Sequence, residues 1–364
     1  MLFKTCLYPI LLITLVSCSG QKKKVQDTIH VPKNIVLMIG DGMGIAQVYA
    51  GMTANKGHLN IERMPYTGLI KTYSASDYIT DSGAGGTALS TGKKTYNGAI
   101  GVDKDTIPHK TILEIAEANG LSTGLAVTCA VTHATPAAFI AHNKSRDNYE
   151  EIAGDFLKTD IDLFIGGGRI NFENRSDGDN LSDKLRNNGY AIIYDTTDLK
   201  NTTAHKFAAL LADFHLPPRD SGRMNMLPLS VEKALSVLSQ NEKGFFLMVE
   251  GSQIDWAGHN NNPGYLVSEM IDFDNAIGKV LEFAAKEKNT LVIVTADHET
   301  GGAALTNGDI QEGKVEIKFS TDYHTSVMVP VFAYGPGAEK FIGIYENTDI
   351  FRKMLSEFGF SSNE

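Results

Sequence analysis

Three short apolar runs in this chain each end on an acid, and few folds accommodate that repetition. Asn34-Ile35-Val36-Leu37-Met38-Ile39-Gly40 leads into Asp41, Phe245-Phe246-Leu247-Met248-Val249 into Glu250, and Leu291-Val292-Ile293-Val294-Thr295-Ala296 into Asp297-His298. Runs of this length and composition read as strands buried on both faces of an α/β sheet. Ligands of such sheets bind beyond the carboxyl ends of the strands. Acids delivered there are costly to bury without partners, and bound cations are the natural compensation.

Further strand signals fall at 121–128, 161–165, 190–194 and 329–334, with helical patterns between several of them. Thr111 to Asn119 reads as a short helix stopped by Gly120. Leu266, Val267, Met270, Ile271, Asp274, Ile277, Val280 and Leu281 follow helical spacing. The expected fold is therefore α/β, a large and mostly parallel central sheet with helices on both faces. The polar, weakly periodic stretch from Asn171 to Pro228 is expected to be a surface excursion, not a second domain. Residues 303–322 are expected to form a short loop or hairpin insert.

The beginning of the chain reads as an export signal. Lys4 precedes the apolar stretch Leu7 to Val16, which is too short to span a bilayer. Leu15-Val16-Ser17-Cys18 is similar to a bacterial lipobox, with Cys18 as the lipidated residue. The expected division is a signal at 1–18, a tether at 19–31 and one domain at 32–364, in a protein exported to the periplasm or cell envelope. Cys129 has no remaining partner for an intrachain disulfide and reads as a buried small residue. A formal net charge of -10 argues against nucleic acid as the main partner.

Histidines and acids carry the remaining signal. Asp255 and His259 are spaced to share one side of a helical turn. Asp297-His298 supplies a carboxylate and an imidazole at a strand end, and His324 precedes another strand. Mixed His/Asp donors suit zinc. Asp41, Glu250 and Thr135 offer only oxygens, which suits magnesium. Arg146 is a candidate for gripping a phosphoryl or sulfuryl group. His30, His58, His109, His142, His205 and His215 read as surface or satisfied core residues. Taken alone, Asp81-Ser82 reads as a helix cap, although the glycines of Ser82-Gly83-Ala84-Gly85-Gly86 favour an anion at the helix start.

Together, Gly40-Asp41-Gly42-Met43-Gly44, Thr80-Asp81-Ser82-Gly83-Ala84, His133-Ala134-Thr135-Pro136-Ala137, Arg146, Glu250-Gly251-Ser252-Gln253-Ile254-Asp255, His259, Thr295-Ala296-Asp297-His298 and His324 resemble the alkaline phosphatase family. The resemblance implies a phosphomonoesterase with Ser82 as the phosphorylated nucleophile. It implies Arg146 as the phosphate grip, oriented by Asp81. It further implies two zinc ions, one on Asp255, His259 and His324 and one on Asp41, Asp297 and His298, and a magnesium on Asp41, Thr135 and Glu250. His133, as in animal members, stands where the best-known bacterial members carry an aspartate near the third metal, and Trp256 stands where lysine or histidine often helps hold phosphate through water. The short interval between His298 and His324 resembles a compact member with an open site. Family members are usually homodimers and act on small phosphate monoesters, releasing inorganic phosphate. The alternatives are a phosphodiesterase, nucleotide pyrophosphatase or sulfatase of the same superfamily, and a lipoprotein that binds phosphate or metal without turnover.

Overall fold

The computed structural model describes residues 1–3 and 31–360. The readings of a signal, a tether and a lipidated Cys18 fall almost wholly outside the described residues. Fourteen strands follow in chain order: β1 (Asn34–Gly40), β2 (Tyr66–Lys71), β3 (Ser122–Ala130), β4 (Leu163–Gly167), β5 (Ala191–Ile193), β6 (Phe207–Leu210), β7 (Phe245–Gly251), β8 (Thr290–Thr295), β9 (Glu299–Thr300), β10 (Ala304–Asp309), β11 (Lys314–Lys318), β12 (His324–Thr325), β13 (Val329–Tyr334) and β14 (Gly343–Glu346).

Ten of them form one sheet in the order β14-β2-β13-β8-β1-β7-β3-β4-β6-β5. Only β13 runs against its neighbours, and every other pairing is parallel. Every residue of β1, β7 and β8 is buried, as a sheet covered on both faces requires. Each large apolar side chain so placed contributes about 1.5–3 kcal/mol. One hydrophobic cluster runs through this sheet from Ile35 to Leu355.

The expected helices form where their caps allow. Ile112–Ala118 starts at Thr111, whose side chain accepts from Glu114 N in a reciprocal capping box. Pro263–Glu287 starts at Asn262, which caps Tyr265 N, with Pro263 in the first turn. Residues 304–318 form the antiparallel hairpin β10–β11, in line with the expected insert.

The stretch from Asn171 to Pro228 requires a correction. It is not only a surface excursion, because β5 and β6 within it complete one edge of the central sheet. β6 is Phe207-Ala208-Ala209-Leu210, fully buried and paired with β4. Four residues, two of them alanine, give too little apolar mass to stand out from a polar background. β2 and β14 are also absent from the sequence reading. β2 alternates in burial, and Gly343 and Ile344 of β14 are exposed.

Candidate active site and metal centre

Four adjacent parallel strands, β8, β1, β7 and β3, end at the same edge of the sheet. Asp297 and His298 follow β8, Asp41 follows β1, Glu250 is the penultimate residue of β7, and His133 and Thr135 follow β3. The strand ends are stitched together directly. Asp41 N donates to Gly251 O at 3.2 Å, Gly42 N donates to Asp297 Oδ1 at 3.2 Å, and Thr135 Oγ1 donates to Asp41 Oδ2 at 3.2 Å. Gly42 has φ +71°, and a Cβ there would lie 2.8 Å from Asp255 Cα. Only glycine lets these backbones approach so closely.

The helix Gln253–His259 follows β7 and puts Asp255 and His259 on one side, with Asp255 Oδ2 3.4 Å from His259 Nε2. His324, in β12, pairs with Thr300 of β9, and its Nε2 lies 3.5 Å from Asp255 Oδ1. Each imidazole is aimed through its other nitrogen. His259 Nδ1 lies 2.6 Å from Asp322 O, and His324 Nδ1 lies 2.8 Å from Thr80 O. Carbonyl oxygens accept, so both Nδ1 atoms carry hydrogen, and in the neutral rings both Nε2 atoms point a lone pair inward. Those two Nε2 atoms are 3.1 Å apart, an arrangement that needs a proton or a cation between them. His298 stacks on His324 with ring centres 3.6 Å apart. Its Nε2 lies 3.2 Å from Asp297 Oδ2 and 3.5 Å from Asp41 Oδ1.

The electrostatics call for added positive charge. Burial, then Asp297, Asp255 and Glu250, push the Asp41 carboxyl well above the usual range. Burial and the Asp255 charge push Asp297 up to about 8, and burial pushes Glu250 up to about 7. Burial also works against the charge of Asp255, yet the hydrogen bond from His259 and the nearby His298 and His324 hold it below the usual carboxylate range. Asp255 in turn lifts His259 to about 9. Asp41 Oδ1, Asp297 Oδ2, Glu250 Oε1 and His133 Nδ1 are buried with no hydrogen-bond partner. Orphans of this kind in native proteins call for an ion or water.

Ser82 opens the helix Ser82–Thr91, and Asp81 is its cap. The Ser82 hydroxyl lies 3.3 Å from His298 Nε2. Asp81 Oδ1 accepts from Ala84 N at 2.9 Å and Gly98 N at 3.0 Å, while Oδ2 accepts from Arg146 Nη1 at 2.8 Å. Arg146 Nη2 reaches His133 Nε2 at 3.2 Å, so the guanidinium is fixed at both ends. Burial, then the Arg146 charge, hold His133 well below its ordinary pKa, and a neutral ring accepts that bond. Trp256 packs edge-on against His133, with ring centres 5.9 Å apart.

His215 is an exposed residue with a satisfied ring nitrogen, as expected, and it also adjoins the site. Its ring lies 4.7 Å from Trp256 and 5.5 Å from His133, and its Nδ1 accepts from Ala130 N at 3.1 Å. His215 belongs to the loop after β6, the strand the sequence concealed, so no local signal tied it to this edge.

A family profile described as alkaline phosphatase matches residues 32–315. The chain is 39% identical to alkaline phosphatase 4 of Bacillus subtilis, covering 90% of this chain and 88% of that one. It is 34% identical to the alkaline phosphatase of Escherichia coli, covering 90% and 86%. The chain belongs to the alkaline phosphatase family. The solved alkaline phosphatase of the Antarctic bacterium TAB5 superposes with TM-score 0.87 at 45% identity, covering 91% of this chain and all of that one. A variant of the TAB5 enzyme is described with Mg bound in its M3 site.

This alkaline phosphatase is a metal-dependent phosphomonoesterase, and its donor groups fit that chemistry. Asp255, His259 and His324 form one set with donor atoms within 4.8 Å of one another, and Asp41, Asp297 and His298 form another. Thr135 and Glu250 adjoin Asp41. All the side chains expected from the sequence, including Ser82, Asp81, Arg146, His133 and Trp256, meet at this one edge of the alkaline phosphatase sheet.

Proposed function

We propose that phosphate monoesters are cleaved in two displacements through a phosphoserine on Ser82, with residues 32–364 as one catalytic unit. The observation that carries this reading is the Ser82 hydroxyl at a helix start, 3.3 Å from His298 and beside the Asp81–Arg146 pair. In the first displacement a bond forms from Ser82 Oγ to phosphorus, the bond to the leaving oxygen breaks, and the serine proton leaves to solvent. In the second, a water oxygen takes the phosphorus and Ser82 recovers a proton, with net retention at phosphorus. Arg146 holds the phosphoryl oxygens, its plane set by Asp81 and His133, and Trp256 and His133 line the phosphate side of the site.

Asp255, His259 and His324 would hold one zinc, Asp41, Asp297 and His298 a second, and Asp41, Thr135 and Glu250 a magnesium. The imidazole-carboxylate donors support zinc, the all-oxygen donors magnesium, and the Mg described for the TAB5 variant supports the latter. When bound, the ions supply Lewis-acid stabilisation of the attacking and leaving oxygens and acidify hydroxyl and water.

The deciding assay compares p-nitrophenyl phosphate, bis-p-nitrophenyl phosphate and p-nitrophenyl sulfate before and after chelation. Fast, chelator-sensitive monoester cleavage is expected. Ser82→Ala is expected to abolish acid-stable phosphoenzyme and to lower turnover by ~10⁴-fold or more with metal content retained. Near-normal turnover in that variant would refute the nucleophile, and preference for diester or sulfate would refute the monoester reading.

We further propose export to the periplasm or cell envelope, a lipid anchor on Cys18, and a homodimer. The apolar stretch before Leu15-Val16-Ser17-Cys18 supports the first two. No helix among the described residues is long and apolar enough to cross a membrane. Cys18→Ala is expected to move the protein from the membrane to the soluble fraction. Unchanged membrane association would remove the anchor.

A further inference from the structure

His324 differs from the other proposed zinc ligands in how its backbone is held. Asp41, Asp297 and His298 follow the ends of β1 and β8 in the ten-stranded sheet, and Asp255 and His259 ride the helix that continues β7. His324 sits instead on β12, two residues long, whose partner is the equally short β9. The ladder pairs His324 with Thr300 and Thr325 with Glu299. So short a two-stranded pairing is a weak hold for a metal ligand, because an isolated pair of strands is marginal in water.

The Glu299 side chain supplies what the ladder lacks. Glu299 is 4% exposed, and each oxygen of its carboxylate accepts from two neutral donors. Oε1 accepts from Gln47 Nε2 at 2.7 Å and Ala303 N at 3.0 Å. Oε2 accepts from Gly302 N at 3.2 Å and from the Thr325 hydroxyl. Gln47, buried on the helix Ile45–Ala54, also donates to Thr300 O at 2.8 Å. One side chain thereby joins the helix after β1, the turn at 302–303 and β12. A Cβ at Gly44 would lie 2.5 Å from Glu299 Cγ, so the start of that helix leaves room for the glutamate stem. A carboxylate suits the place because it accepts through both oxygens, whereas an amide would set an NH2 donor against one of these donor pairs.

We infer that Glu299 is a positioning residue for the ion proposed on Asp255, His259 and His324. By gripping Thr325 it fixes β12, and with it the place of His324 beside the other two ligands. The ion proposed on Asp41, Asp297 and His298 does not depend on that grip, since its ligands follow strands of the main sheet. The inference rests on the ligand reading above and is independent of the role of Ser82.

The test measures zinc binding to the chelator-stripped full chain by competition with a chromogenic chelator at fixed magnesium. The wild type is expected to take up two equivalents. Glu299→Ala should weaken one of them about 10-fold, the lower end of what removing a group behind a metal ligand costs, and leave the other unchanged. Thr325→Val keeps the size of the side chain and removes the hydroxyl, so it should weaken the same equivalent in a chain that folds. Thr325→Ser restores the hydroxyl and should restore the affinity, which a purely structural role would not require. The double variant Glu299→Ala with Thr325→Val should bind no more weakly than Glu299→Ala, since both break one link.

Wild-type affinities in Glu299→Ala, equal weakening of both equivalents, wild-type binding by Thr325→Val, a Thr325→Ser that binds like Thr325→Val, or additive losses in the double variant would each overturn the inference. His324→Ala separates its failure from that of the ligand reading. That variant should lose the equivalent that Glu299→Ala weakens. If His324→Ala keeps both equivalents, the ligand reading falls and the inference with it. If His324→Ala loses one while Glu299→Ala keeps both at full affinity, the inference alone falls.

Discussion

Arg146, the proposed phosphate grip, is held firmly by its surroundings. Its two terminal nitrogens are engaged by Asp81 at 2.8 Å and His133 at 3.2 Å, so the planar fork is set before substrate arrives. Preorganisation of this kind lowers the ordering cost of binding. Arg146→Ala should raise the inhibition constant of inorganic phosphate about 10- to 100-fold, the value of a charge-assisted hydrogen bond or two, with a smaller loss in kcat. Zinc content, measured by elemental analysis, should stay unchanged, and a fall in zinc would show that Arg146 supports the metal ligands instead. His215, close to His133 and Trp256, sets a second imidazole beside the indole on the proposed phosphate side.

At the scale of elements, the helix Ser82–Thr91 must lie close enough to β8 for Ser82 to reach His298. Gly85 permits this, since a Cβ there would come 2.9 Å from Asp297 Cβ. Gly85→Ala should push helix and strand end apart, cost about 1–3 kcal/mol and lower both zinc content and turnover. Wild-type zinc content in that variant would argue against the packing explanation. The elements that bring ligands were legible for a physical reason. β1, β7 and β8 are buried on both faces, so their sequences are unbroken apolar runs that end abruptly at Asp41, Glu250 and Asp297. Asp255 and His259 were legible through their spacing of four. β6 was not, because Ala208 and Ala209 carry little hydrophobic signal, and the loop after it took His215 with it. The contact between Cys129 and Glu250 was equally hidden, since register between β3 and β7 (Val127↔Glu250) is not written in either strand alone.

On the scale of the whole molecule, the buried acids link stability to pH when ions are removed. The ordinary values of Asp297 and Glu250 are 3.8 and 4.5, and the fold holds them up to about 8 and 7. Between those limits the folded state binds more protons than the unfolded state, so stability falls as pH rises. The Tm of the chelated protein should therefore decline from about pH 4 to about pH 8, and zinc should flatten the decline. A chelated protein that gains stability across this window would contradict the proposed charge balance. Ligands gathered at one sheet edge come from Asp41 near one end of the chain and His324 near the other, with Thr135, Glu250, Asp255 and His298 between. A chain that stops short of His324 lacks the full Asp255, His259 and His324 set. An ion held by Asp255, His259 and His324 thus reports that β7, its following helix and β12 have all reached their places. On the proposed ligand assignment, loading of that one ion would be a checkpoint on completed synthesis, which a chain cut anywhere before His324 would fail.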